Sequence, residues 1–189
     1  MRQALRSATA HQHQRLDNGL EYVLGDGLSR ERYADLLAGF LGFYAPVEDL
    51  VSRWDASALG IPLIRRAGLL ERDLVVLGRT PASVPRCVEL PALPTADHVA
   101  GALYVLEGAC LGGQVIARAV KARLGVTADA GAAFFSGEGR HTAARWTQVL
   151  AWLDARDGCG QAREDMQAGA RRTFASLTGW LGVQGMLDE

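Results

Sequence analysis

SRERYADLLAGFLGFYAPVEDLVSRW, residues 29–54, decides the fold class. Ser29 is a residue type whose hydroxyl accepts a hydrogen bond from the backbone at a helix start. Beyond it, Tyr33, Leu36, Leu37, Phe40, Leu41, Tyr44, Val47, Leu50, Val51 and Trp54 recur at intervals of three and four. That spacing draws one apolar stripe along a long helix and leaves no room for strand-like alternation. Pro46 lies inside the stripe, has no N–H to donate, and predicts a kink.

The same period extends in both directions. A first helix is expected from about Gln3 to Leu24, closed by Gly25-Asp26-Gly27, and a third over roughly Ile64 to Leu77, stopped at Gly78. Pro81, Pro85, Pro91 and Pro94 make Arg79 to Pro94 a surface loop. Thr95 caps a long helix that runs to about Leu124 and ends at Gly125. A glycine- and alanine-rich connection reaches Gly139, and two more helices fit Thr142 to Ala155 and Gln161 to Leu181. No repeat or linker divides the chain, so residues 1–189 read as a single all-α domain.

Composition narrows the function classes. The 189 residues are 49% hydrophobic and 22% charged, which is ordinary for a globular protein. Twenty basic residues against twenty-one acidic ones are interspersed, with no basic stripe for nucleic acid or an anionic membrane. No apolar run is expected to reach the roughly 20 residues that span a bilayer. The N-terminus lacks the apolar core of a signal peptide, so a cytoplasmic location is expected. Cys87, Cys110 and Cys159 show no CxxC spacing and read as reduced thiols. Schiff-base chemistry would fall on Lys121, the single lysine.

Two features break local rules. The helix after Thr95 carries Gly101, Gly108, Gly112 and Gly113 in its interior, each costing roughly 1 kcal/mol relative to alanine. Close helix packing is one reason for such glycines. The other is a backbone bared to a flat ligand, and Gly108 and Gly112 share a face. The second feature is His13, which stands on the stripe of Leu5, Thr9 and Leu16, whereas His11 points elsewhere. His98 and His141 complete the set, and no HxxxH or HExxH pair suggests a multi-ligand metal site. A single axial imidazole on a porphyrin iron needs no second histidine.

Leu5-Arg6-Ser7-Ala8-Thr9-Ala10-His11-Gln12-His13, followed by Leu16-Asp17, resembles the N-terminal helix of heme oxygenases. Tyr104-Val105-Leu106-Glu107-Gly108-Ala109-Cys110-Leu111-Gly112-Gly113-Gln114 is similar to the glycine-rich distal helix of that family. Phe40 to Pro46 and Arg72-Asp73-Leu74 look like bacterial members, especially those encoded beside bacteriophytochromes. Phe134-Phe135, Trp146 and Thr173-Phe174 carry the likeness towards the C-terminus.

The resemblance implies heme held between the first helix and the distal helix, with iron ligated by His13. Heme would be both cofactor and substrate, cleaved to biliverdin, CO and ferrous iron with O2 and external electrons. A ferredoxin or flavoprotein reductase would be the donor, and a bacteriophytochrome a possible biliverdin acceptor. Coordination by a neutral imidazole weakens in acid as His13 protonates. Arg6 matches a basic position of the family motif and suits a heme propionate, although a solvated surface arginine is the plain alternative. Arg140 and Arg145 are further propionate candidates. Tyr104 and Phe174 would flank the porphyrin, Gly108, Gly112 and Gly113 would lie under it, and Leu111 would wall the oxygen site.

One departure stands out. Many members place an aspartate where this chain has Ala109, which can neither accept nor orient a proton. The catalytic proton route is therefore left to a water network near Gly108, Ala109 and Gly112. Two other readings remain. A heme or tetrapyrrole carrier or sensor would keep the pocket without turnover, supported by Ala109. A thiamin-degrading relative on the same fold would need Cys110 as nucleophile. No GxSxG, P-loop or dinucleotide fingerprint offers another chemistry.

Overall fold

The computed structural model describes residues 1–55, 59–158 and 160–187, and these contain helices and connections but no strand. Seven α-helices are described: α1 (Arg2–Gly19), α2 (Arg30–Ser52), α3 (Ala67–Val76), α4 (Ala96–Leu124), α5 (Ala133–Ser136), α6 (Thr142–Arg156) and α7 (Gly160–Val183). The caps are those the sequence predicts. Ser29 accepts from the Arg32 amide, Thr95 accepts from the His98 amide, and Gly125 closes α4 at φ 67°. Cys159 lies outside the described residues.

The differences from expectation have local causes. α1 stops at Gly19, and Glu21–Leu24 tightens into a 3-10 turn. α3 begins three residues later than predicted, at Ala67, where the Glu48 carboxylate accepts from the Arg66 and Ala67 amides. The glycine-rich connection holds α5, which the sequence reading missed. Asp73 makes it, with its carboxylate accepting from Ala133 N at 2.9 Å and Phe134 N at 2.8 Å. A helix of one turn is too short to announce itself by periodicity.

Pro46 sits inside α2 without ending it. The missing N–H of Pro46 leaves the Gly42 carbonyl short of its helical donor, and the Cys87 amide supplies one at 2.9 Å. A side chain on Gly42 would strike Trp180 and the Pro85 carbonyl, so the proline-rich loop and α7 both lie on α2 at this point.

The centre of the fold is α4, which packs most extensively against α7. α4 also corrects one expectation: among the described helices it alone is long and apolar enough to cross a bilayer. Of that stretch 56% is buried inside the protein, so its apolar surface serves the core. A methyl on Gly101 would lie 1.9 Å from the Met166 carbonyl oxygen, and one on Gly169 would lie 2.0 Å from that of His98. Backbone thus meets backbone where α4 crosses α7.

Burial holds the carboxyls of Glu48 and Asp73 above the usual carboxylate range, although each accepts two backbone N–H bonds. A carboxyl whose value is raised on folding stabilises the fold below its unfolded value and loses that contribution as pH rises through the folded one. Replacing Asp73 by Asn should therefore flatten the decline in stability from mildly acidic to neutral pH. Asp73→Ala, which strands two amides, should cost about 2–4 kcal/mol. Urea unfolding across pH checks both.

Candidate functional site

α1 turns Leu5 and Thr9 into the core and leaves Leu16 half-buried, as the stripe predicts. His13 stands at the edge of that face with its side chain 60% exposed. Its ring lies 5.7 Å from that of Phe174 on α7, tilted by 60°. Nδ1 lies 2.8 Å from Oδ2 of Asp17, one helical turn on. A carboxylate there makes Nδ1 the protonated nitrogen and leaves the Nε2 lone pair free. Asp17 was quoted from the sequence without a role, and its i,i+4 spacing from His13 was the signal for this contact.

The other histidines are occupied or remote. His98 Nδ1 lies 2.8 Å from the Thr95 hydroxyl and 3.5 Å from Asp165, and burial pushes the ring below its ordinary value. His141 accepts from Arg140, and His11 is exposed on another side of α1. No group of three or more metal-ligating side chains occurs among the described residues.

α4 faces α1 through Tyr104. Burial raises the phenol of Tyr104, while the Thr9 hydroxyl and the charges of Arg6 and Arg2 act in the opposite direction. The charge of Arg6, expected at the site, is thus felt at Tyr104. The Tyr104 ring also lies 5.5 Å from that of Trp146 on α6.

The four glycines divide into two kinds. Gly101 serves the α7 crossing, and Gly113 is tight against Phe135, whose carbonyl oxygen would be 3.0 Å from an added methyl. Gly108 has only the Trp146 indole near it, at 3.3 Å, and Gly112 has nothing within 4 Å. Leu111 and Val115 are exposed beside Gly112. Around Gly112 the α4 surface is therefore open and apolar, and no described residue packs against that glycine.

Beneath α4, a cavity of about 140 Å³ is lined by Tyr44, Glu48, Arg66, Leu103, Leu106 and Glu107, among others. Glu107 pairs with Arg66 and Arg145. Arg145 also donates to the Pro62 carbonyl, so this expected propionate partner is turned inward. Cys110 is buried beside the same cluster, and burial pushes its thiol up to about 11. Burial that disfavours the thiolate counts against the reading built on Cys110.

A free imidazole nitrogen on one helix and a bare apolar stretch on another suit a flat, metal-bearing macrocycle. Comparison with known proteins agrees. A family model described as Heme oxygenase matches residues 1–182. A heme oxygenase of Xanthomonas campestris pv. campestris is 35% identical over 156 residues, covering 81% of this chain and 91% of that protein. Among solved structures, the NO- and CO-bound heme oxygenase of Neisseria meningitidis superposes with TM-score 0.80 at 22% identity, covering 95% of this chain and 89% of that one. The Leptospira interrogans heme oxygenase gives TM-score 0.76 at 17% identity, covering 95% and 97%. The chain belongs to the heme oxygenase family, enzymes that degrade heme to biliverdin with O2 and a reductase.

Proposed function

We propose that residues 1–189 form one heme oxygenase domain that binds heme between α1 and α4 and cleaves it to biliverdin, CO and ferrous iron. The observation that carries this reading is the His13–Asp17 pair, which orients an exposed imidazole with Nε2 unused. When bound, heme supplies the iron that activates O2 and the ring that is oxidised. The chain's own part is to bind, orient and exclude. His13 would ligate the iron, with its ring held by Asp17 and backed by Phe174. Arg6 and the Tyr104 hydroxyl would meet the heme carboxylates, and the charge of Arg6 is felt at Tyr104. Gly112 would let the α4 backbone approach the ring, with Gly108 one turn before it beside the Trp146 indole, and Leu111 would cover the oxygen side with an apolar surface that limits water.

Arg145 and Gly113 enter at one remove. Arg145 acts through Glu107, and Gly113 seats α4 on Phe135. Ala109 supplies no acid, so proton delivery falls to water held near Gly108, Ala109 and Gly112. A ferredoxin or flavoprotein reductase would deliver electrons in the cytoplasm, and a bacteriophytochrome is the natural recipient of the product.

The test is an absorption titration with heme, then anaerobic reduction and admission of air with an electron donor present. A Soret band that grows to saturation and then gives way to a red biliverdin band is the expected result. A stable oxy or ferric complex would favour the carrier that Ala109 suggests.

A further inference from the structure

Glu107 immediately precedes Gly108, and α4 turns its carboxylate into the protein. Oε2 accepts from Arg66 Nη2 at 2.7 Å, and Oε1 accepts from Arg145 Nη2 at 2.6 Å. The three side chains are 6%, 3% and 11% exposed. One carboxylate therefore ties α4 to the segment entering α3 and to α6. Glu138 adds a weaker tie, 3.6 Å from Arg66. It lies between Gly137 and Gly139, which have φ of 58° and 55°, and a 3-10 turn, Gly139–His141, separates it from α6. The same turn is also tied to α6 directly, since the Glu138 amide donates to the Thr142 hydroxyl at 3.0 Å.

Net stability is a poor reason for such a cluster, because desolvation offsets most of the attraction in a buried ion pair. What it supplies is geometry. Arg145 keeps Nε buried with no hydrogen-bond partner among the described residues, so its side chain is placed for the Nη2 contacts at the expense of another donor. The next residue is Trp146, whose indole rests on Gly108 and against Tyr104. Both are residues that the heme reading sets beside the ring.

We propose that Glu107, through Arg145, is the positioning residue that sets the Trp146 indole on the distal helix and so fixes the in-plane orientation of bound heme. The proposal rests on the heme reading given above. Beside a bound ring, an indole at that place would be a wall against its rotation. Which meso carbon faces the oxygen site depends on that rotation, so Glu107 would govern the biliverdin isomer without touching the ring.

The experiment compares wild type, Glu107→Gln, Arg145→Lys and Trp146→Phe in the full chain. Without heme, Trp146 emission is isolated by difference against Trp146→Phe. The expected result is a red shift and greater acrylamide quenching in Glu107→Gln, and a smaller change in Arg145→Lys, which keeps the charge. With heme and a reductant, Glu107→Gln should change the biliverdin isomer ratio in the same direction as Trp146→Phe. A lowered unfolding temperature with unchanged Trp146 quenching and unchanged isomer ratio would mark the cluster as ordinary scaffolding and overturn the proposal. If Glu107→Gln does not fold, Arg145→Lys carries both readouts. If no protein binds heme, the heme reading fails by itself, while the quenching series still decides whether Glu107 holds Trp146.

Discussion

His13→Ala should lose ring cleavage while keeping its fold. His13 is exposed and contributes only an edge contact with Phe174 and an exposed bond to Asp17, so the truncation removes little burial. Unfolding should shift by no more than about 0.5–1 kcal/mol, the usual range for a surface change. Heme should still enter an apolar cleft, but with an altered Soret band, and added imidazole should restore the wild-type spectrum and turnover. Asp17→Asn should have a milder effect, with heme affinity down by about 10–100-fold, typical for loss of a hydrogen bond to a ligating histidine. A wild-type spectrum in His13→Ala would sink the assignment and direct attention to His11, two residues away on the same helix.

The second large effect separates glycines that look alike in sequence. Gly101→Ala should destabilise the protein by about 3 kcal/mol or more, at the upper end of overpacking. The added methyl meets the Met166 carbonyl oxygen at 1.9 Å, and backbone cannot rotate aside as a side chain would. Gly112→Ala should do the opposite in the ligand-free protein and raise stability by about 1 kcal/mol, since its methyl meets nothing and alanine favours helix. The same variant should bind heme more weakly, because the methyl occupies the surface the ring needs. Denaturant unfolding and heme titration of the two proteins give the answer. Equal destabilisation of both would mean that Gly112 has an internal partner and that the open stretch of α4 is not a cradle.

The sequence made the long elements legible because their determinants are local. A stripe over residues 33–54, an N-cap at Ser29 and a glycine at 125 each act within a few residues. α5 was illegible because its cap, Asp73, is 60 residues away. At the site, His13 and the glycine-rich stretch could be picked out by rule-breaking and by resemblance. The split among Gly101, Gly108, Gly112 and Gly113 could not, because each depends on what the facing helix presents. Arg145 shows the same limit. Its charge fitted a propionate partner, and only the fold reveals the buried Glu107 that claims it.

The bond from the Cys87 amide to the Gly42 carbonyl has a consequence for chain entropy. The crossing from Arg79 to Pro94 has almost no regular structure of its own, and an unanchored run of that length would sample many paths. Proline 46 strands one acceptor on the helix, and that acceptor pins the crossing near its midpoint, dividing one long closure into two short ones. A residue known for breaking helices here frees the acceptor that restrains a segment about forty residues on.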